Sequence, residues 1–171
     1  WRQHPVTVVG AGGAARAAVM AAVQLGASEV RIINRTPERA TTVARELQSA
    51  SAVPIVAHQD IGAFTDAGLV LQATSAGLSW LPEEARWSAV CAQASEWLSK
   101  VAAEAVVMDL IYRPRVTPWV QAAQSLGLET AGGLGMLVGQ AAGAFACWTG
   151  IMPPTEPMHR AALVALTEGV D

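Results

Sequence analysis

Gly10-Ala11-Gly12-Gly13-Ala14-Ala15-Arg16 joins a short β-branched run, Val6 to Val9, to a segment from Ala14 to Leu25 that consists largely of Ala, Val, Met and Leu. The spacing is GxGxxA, and strand, tight turn and helix is the context that gives this pattern meaning. Gly10 and Gly12 suit a sharp turn and a close backbone approach, and Ala15, in the third small position, lets the helix press on a sheet. A helix that starts here presents free N–H groups and a partial positive charge, which suits a pyrophosphate. The alternative is a glycine-rich turn that holds nothing.

Working outward, strand and helix signals alternate, which predicts a doubly wound α/β fold with a parallel sheet between two helical layers. Strands are expected over Val6 to Val9, Glu29 to Asn34, Val53 to Ala57, Leu69 to Ala73, Ala105 to Leu110 and Leu128 to Ala131. Thr36-Pro37-Glu38 opens a helix with Thr as N-cap, Pro at the first helical position and a carboxylate near the positive end. Ala40, Val43, Ala44 and Leu47 follow as its core-facing stripe. Thr117-Pro118 repeats the opening, and Gly127 closes that helix. Residues 82–100 form one or two helices. A helix from Leu134 to Trp148 carries Leu134, Leu137, Val138, Ala141, Phe145 and Trp148 on one side, with Met136, Gln140 and Gly143 on the other. After Pro153-Pro154 a last helix offers Met158, Ala161, Ala162, Ala165 and Leu166 as an apolar face.

The 171 residues are 52% hydrophobic and 15% charged. The charge content lies well under the roughly 25% of an average soluble domain, so surface meant to be covered is expected. A net charge of -3 without a Lys/Arg block argues against nucleic-acid and anionic-membrane partners. The longest uncharged stretch, Thr130 to Thr155, is long enough to raise the question of a membrane span, but its glycine density favours a buried helix. Cys91 and Cys147 are far apart, and His4, His58 and His159 are scattered singly, so no metal site is expected and a reducing, cytoplasmic setting is. The chain opens on Trp1 and enters a core strand five residues later, as a domain of a longer polypeptide does.

The end of the second strand decides which dinucleotide is expected. An NAD site places Asp or Glu there to hold the ribose hydroxyls. Here Asn34, Arg35 and Thr36 follow the strand, with Arg39 one helical turn on. Two guanidiniums and a hydroxyl suit a 2′-phosphate, hence NADP, and one charge-assisted contact of about 1.5–3 kcal/mol would be enough to choose it over NAD. Thr74-Ser75-Ala76-Gly77 ends the fourth strand at the edge where ligands of open α/β sheets sit. Hydride transfer to a ketone also needs a proton donor. The only lysine, Lys100, reads as a surface residue, and Val116 stands one turn after Tyr112 where a Tyr-Lys pair would need its lysine. Asp109 is as readily a buried strand-end residue as a functional one. No catalytic residue is assigned.

These blocks, with Asp109-Leu110-Ile111-Tyr112-Arg113-Pro114, Thr117-Pro118 and Gly133-Leu134-Gly135-Met136-Leu137-Val138-Gly139-Gln140, resemble in order the C-terminal, NADP-binding domain of the shikimate/quinate dehydrogenase family. The resemblance runs over nearly all 171 residues. It implies a Rossmann-type domain spanning 1–171 and NADPH-dependent reduction of 3-dehydroshikimate to shikimate in aromatic amino-acid biosynthesis. Gly10, Gly12, Gly13 and Ala14 would hold the pyrophosphate, and Asn34, Arg35, Thr36 and Arg39 the 2′-phosphate. Thr74 would line the cofactor, Gly133 and Met136 would border the nicotinamide, and Tyr112 and Gln140 would reach the substrate. The family's catalytic Lys-Asp pair belongs to an N-terminal substrate domain absent from this chain, so the chain alone is expected to be catalytically incomplete. Gly68, Gln72 and Gly132 depart from the family's usual Asp, Asn and Asp/Asn. A stand-alone NADP-binding module, and a glutamyl-tRNA reductase type disfavoured by the late blocks, are the other readings. Shikimate against quinate, and a homodimer, are left open.

Overall fold

The computed structural model describes residues 3–76 and 84–167. Six strands form one parallel sheet: β1 (Val6–Val9), β2 (Val30–Ile33), β3 (Ile55–His58), β4 (Leu69–Gln72), β5 (Val106–Asp109) and β6 (Glu129–Ala131), in the order β3-β2-β1-β4-β5-β6. The strand order therefore reverses about β1, and the connections leave to opposite faces. The central strands β1 and β4 are short and buried throughout, and β2 nearly so, as a covered parallel sheet requires.

Helices α1 (Gly13–Gln24) and α2 (Pro37–Gln48) cover one face. Ala15, Ala18, Val19 and Ala22 of α1 and Ala40, Val43 and Ala44 of α2 pack there on Val6, Val8, Val30, Ile32 and Leu71. Small residues toward the sheet bring the helix axes close. The stripe expected on α2 is present, with Leu47 half-buried at its end. The other face is covered by a short 3₁₀ turn, Ile61–Phe64, and by α3 (Glu84–Leu98) and α4 (Pro118–Ser125). The segment read as one or two helices is thus a single helix over its described residues. Phe64, Trp97 and Trp119 meet there with ring centroids 5.3–6.2 Å apart.

One expectation fails. Helix α5 (Leu134–Thr149) is not a buried helix: only Val138 and Ala142 are buried, while Phe145 is 42% and Trp148 83% exposed. Its principal packing partner is α6 (Thr155–Thr167), in which no described side chain is fully buried and Ala161 and Ala165 of the expected apolar face are exposed. Helical periodicity puts apolar residues on one face, but it does not supply the element that covers them. No helix among the described residues is long and apolar enough to cross a membrane.

Phe64 is completely buried against two tryptophans at the centre of the α3–α4 face. Phe64→Ala is expected to lower the unfolding free energy by about 3–5 kcal/mol, measured by urea denaturation; a loss under about 1 kcal/mol would show that this cluster does not hold the layer to the sheet.

Candidate functional site

Every strand of a parallel sheet ends at the same edge, and the carboxyl edge here gathers the predicted residues onto neighbouring loops. Val9 is in register with both Ile33 and Gln72, and Gln72 with Asp109. The ladder continues past the strands: Gly10 N–H donates to Ile33 O (2.8 Å), Ala73 N–H to Val9 O (2.8 Å) and Leu110 N–H to Gln72 O (3.0 Å). The loops bearing Gly10, Asn34, Thr74 and Tyr112 thus leave side by side.

Gly10 has φ +121°, and a Cβ there would meet Ala73 O at 3.1 Å and Thr74 Cγ2 at 3.2 Å. Glycine is needed for the turn and for the approach of the two loops. Gly12 and Gly13 differ: neither has positive φ, and a Cβ at either would stand in open space. Gly12 is the N-cap of α1, no side chain caps it, and no carboxylate lies in the first turn. The helix N-terminus therefore keeps N–H groups and partial positive charge free for an anion.

At the end of β2, Asn34 Nδ2 donates to Thr36 O at 2.9 Å, which folds the turn into α2. Thr36 is the N-cap by position, but its hydroxyl makes no cap bond, unlike Thr117, whose hydroxyl accepts from Val120 N–H. Arg35 and Arg39 are exposed, and among the described residues neither pairs with a carboxylate. Arg39 lines an open cleft of about 320 Å³ between α1 and α2 with Ala11, Arg16, Glu38, Thr42 and Val43. Arg16, quoted in the sequence only as the last residue of the glycine stretch and given no role there, also lines this cleft and is held by Glu46 at 2.6 Å. Its signal was its place one turn into α1, on the α2 side.

Across the edge, Gly133 is locked to the β5 loop. Its N–H donates to Ile111 O at 3.1 Å, and a Cβ would overlap the Leu110 carbonyl oxygen, so no other residue fits. At Gly132, by contrast, the nearest atom would be 3.8 Å away, so the glycine that replaces the family's usual Asp or Asn is not a steric requirement. Met136 follows one turn after Gly133 and is half-buried; Gln140 and Tyr112 are exposed, Tyr112 to 41%. Thr74 is half-buried, its hydroxyl accepting from Ala76 N–H at 3.1 Å. Gly77, the last residue of the quoted loop, lies outside the described residues. Among the described residues no three His, Cys, Asp or Glu side chains are grouped to hold a metal, and Lys100 is exposed.

Asp109 is fully buried, with Ile111 N–H at 2.9 Å on one carboxylate oxygen and the Thr117 hydroxyl at 2.6 Å on the other. Burial pushes its pKa up to about 6, against the lowering effect of its bonds to Thr117 and Ile111 and of the nearby Gln72 amide. Loss of water outweighs these contacts because no cation among the described residues pairs with it.

The family model described as Shikimate / quinate 5-dehydrogenase matches residues 1–110, and that of the Shikimate 5'-dehydrogenase C-terminal domain matches 133–163. The shikimate dehydrogenase (NADP(+)) of Citrifermentans bemidjiense is 36% identical over 96% of this chain and 57% of its own length. That of Mesorhizobium japonicum is 37% identical over 94% and 54%. Among solved structures, the shikimate 5-dehydrogenase of Thermus thermophilus in complex with NADP(H) and shikimate matches with TM-score 0.75 and 34% identity, covering 96% of this chain and 56% of that one. Quinate dehydrogenase of Corynebacterium glutamicum in complex with NAD matches with TM-score 0.79 and 27% identity, covering 95% and 56%. The chain therefore spans little more than half the length of the relatives it matches.

The raised pKa of Asp109 has a definite sign. Between the ordinary value of 3.8 and about 6, the folded chain holds a proton that the unfolded chain has released. Stability contributed at this position is therefore highest below that window and declines as pH rises through it. Relative to Asp109→Asn, which cannot titrate, the wild type is expected to lose about 2 kcal/mol of unfolding free energy between about pH 4.5 and pH 7. Urea denaturation of both proteins at both pH values measures it, and parallel curves would show that the carboxyl is not shifted.

Proposed function

The chain belongs to the shikimate/quinate dehydrogenase family, and from that premise we propose that it is the NADP(H)-binding half of an oxidoreductase that reduces 3-dehydroshikimate to shikimate with NADPH, a step of aromatic amino-acid biosynthesis. The observation that carries the reading is the end of β2, where Arg35 and Arg39 lie free of carboxylate partners beside an uncommitted Thr36 hydroxyl. A 2′-phosphate gives these groups the anion they lack, while the uncapped N-terminus of α1 takes the pyrophosphate through the backbone of Gly12, Gly13 and Ala14. The cofactor then runs along the carboxyl edge past Gly10 and Thr74 toward Gly133 and Met136. NADP(H) supplies the hydride; the chain binds, orients and shields it. Tyr112 and Gln140, exposed on the far side of that edge, are the groups this half offers to substrate.

Among the described residues this edge shows no acid–base pair for the ketone's proton: Lys100 is exposed just past the end of α3, Asp109 is enclosed, and Tyr112 has Val116 rather than a lysine one turn on. The acid–base pair is assigned to the more than two-fifths of the relatives' length that this chain does not match. The apolar surface of α5 and the turn after it supports that division. Phe145, Trp148, Ile151 and Met152 are 42–83% exposed on consecutive turns, a patch that a stand-alone module would leave in water. A substrate domain seated on it accounts for both the patch and the missing chemistry. Both cysteines are free, which supports the cytoplasmic setting proposed for the protein.

Two measurements test this. The 171-residue chain is expected to bind NADPH with little or no reduction of 3-dehydroshikimate, and robust turnover by it would refute the division of labour. Arg35→Ala is expected to weaken NADPH about tenfold or more while sparing NADH, read by fluorescence titration; equal losses for both would refute the 2′-phosphate assignment.

A further inference from the structure

Two buried polar side chains at the carboxyl edge have no part in the reading above, on which this inference rests. Gln72 ends β4 and Asp109 ends β5; they are register partners, and both are fully buried. An apolar pair would fill such positions without the cost of stripping water from an amide and a carboxyl. Their hydrogen bonds show what the polar atoms accomplish. Gln72 Oε1 accepts from Thr74 N–H at 2.5 Å, and its Nε2 donates to Ala76 O at 3.2 Å and, more weakly, to Thr74 O at 3.4 Å. Asp109 accepts from Ile111 N–H and from the Thr117 hydroxyl, and the two strand ends are joined by Leu110 N–H donating to Gln72 O at 3.0 Å. Thr117 in turn caps α4 through Val120 N–H at 3.2 Å. Every side-chain bond of Gln72 and Asp109 thus ends on a loop bordering the cleft or on the cap of α4.

We propose that Gln72, Asp109 and Thr117 are positioning residues: Gln72 fixes the loop bearing Thr74, Asp109 with Thr117 fixes the loop bearing Tyr112, and because the two strand ends are in register the pair sets the width of the nicotinamide end of the cleft. The tie runs on to Gly133, whose N–H is bound to Ile111 O and whose Cα lies too close to Leu110 O for any side chain. A shift of the Asp109 loop therefore moves the start of α5, and with it Met136. At the other end, Gly10 touches Ala73 and Thr74, so the pyrophosphate loop is the fixed reference against which the width is set. The adenosine end, built from the turn between β2 and α2, shares none of these bonds.

That separation makes the proposal testable with two ligands. NADPH spans the whole edge, whereas 2′,5′-ADP carries the adenosine and its 2′-phosphate without a nicotinamide. Calorimetric titration of the 171-residue chain is expected to show Gln72→Leu and Thr117→Val weakening NADPH about tenfold while leaving 2′,5′-ADP within about twofold of wild type. Thr117→Ser, which keeps the hydroxyl, is expected to retain wild-type affinity for both. Should Gln72→Leu fail to fold, Gln72→Met, which keeps the length of the side chain and removes its amide, carries the same expectation. Equal weakening of both ligands would reduce the trio to a role in stability and overturn the proposal, as would no weakening of either. A wild-type chain that failed to bind 2′,5′-ADP would overturn the NADP reading itself, and the positioning role with it.

Discussion

The carboxyl edge exists because β1 is hydrogen-bonded on both sides to strands reached by connections that leave over opposite faces. Val9 pairs with Ile33 on one side and Gln72 on the other, so the loops after β1, β2 and β4 emerge together and diverge. Parallel pairing forbids short hairpins and obliges each return to cross a face of the sheet. The crevice is the space between the diverging connections. Small residues narrow it: Ala15, Ala18 and Ala22 bring α1 onto the strands, and Gly10 lets the first loop touch Ala73. The site is thus a consequence of strand order, and the chemistry is added by the residues each strand delivers at its end.

What the strands deliver is unusually polar for the interior. Thr7, Gln72, Asp109 and Thr117 are all buried, and among the described residues no buried side-chain nitrogen or oxygen lacks a partner. Thr7 donates to Ala63 O and ties β1 to the 3₁₀ turn beneath the sheet. The other three face the cleft's loops. A carboxyl that burial drives toward its neutral form is a cost to the fold, and a cost kept at one strand end is better explained by the loops it places than by stability.

Much of this was legible beforehand because it is local. Strand ends were read within two residues, since a β-branched run stops at Gly, Asn, Asp or Thr for reasons the turn imposes. The two Thr-Pro helix starts were legible by position, but the fate of each hydroxyl was not. Thr117 caps and Thr36 does not: the Thr117 hydroxyl is oriented by Asp109 from the end of β5, whereas Asn34 takes only the Thr36 carbonyl. Gln72 carried a signal that went unused for function: a polar residue closing the run Leu69-Val70-Leu71 on a central strand must have its amide satisfied somewhere. Arg16 was legible as a residue but not as part of the cleft, because its place beside Arg39 depends on how α1 and α2 pack. The exposure of α5 was not legible because periodicity reports that a face is apolar, whereas burial depends on what packs against it, and among the described residues little does so beyond α6.

That exposure joins the two halves of the function. Helix α5 begins at Gly133, held without slack against Leu110 and Ile111, and runs about 24 Å at the usual rise per residue. Met136 and Gln140 stand in its first two turns, near the cleft, while Phe145 and Trp148 stand in its last two, exposed. A helix of sixteen residues transmits position along its axis far better than a loop does. Under the proposed division of labour, a domain seated on Phe145 and Trp148 would be registered, through one rigid element, to the loop that begins at Asp109. Placement of substrate groups against the nicotinamide would then depend on two contacts at opposite ends of α5: buried hydrogen bonds at one end and an apolar patch at the other. An apolar patch at that end fits the low charge content of the chain, because a surface that excludes water in an assembly leaves charges there unsolvated.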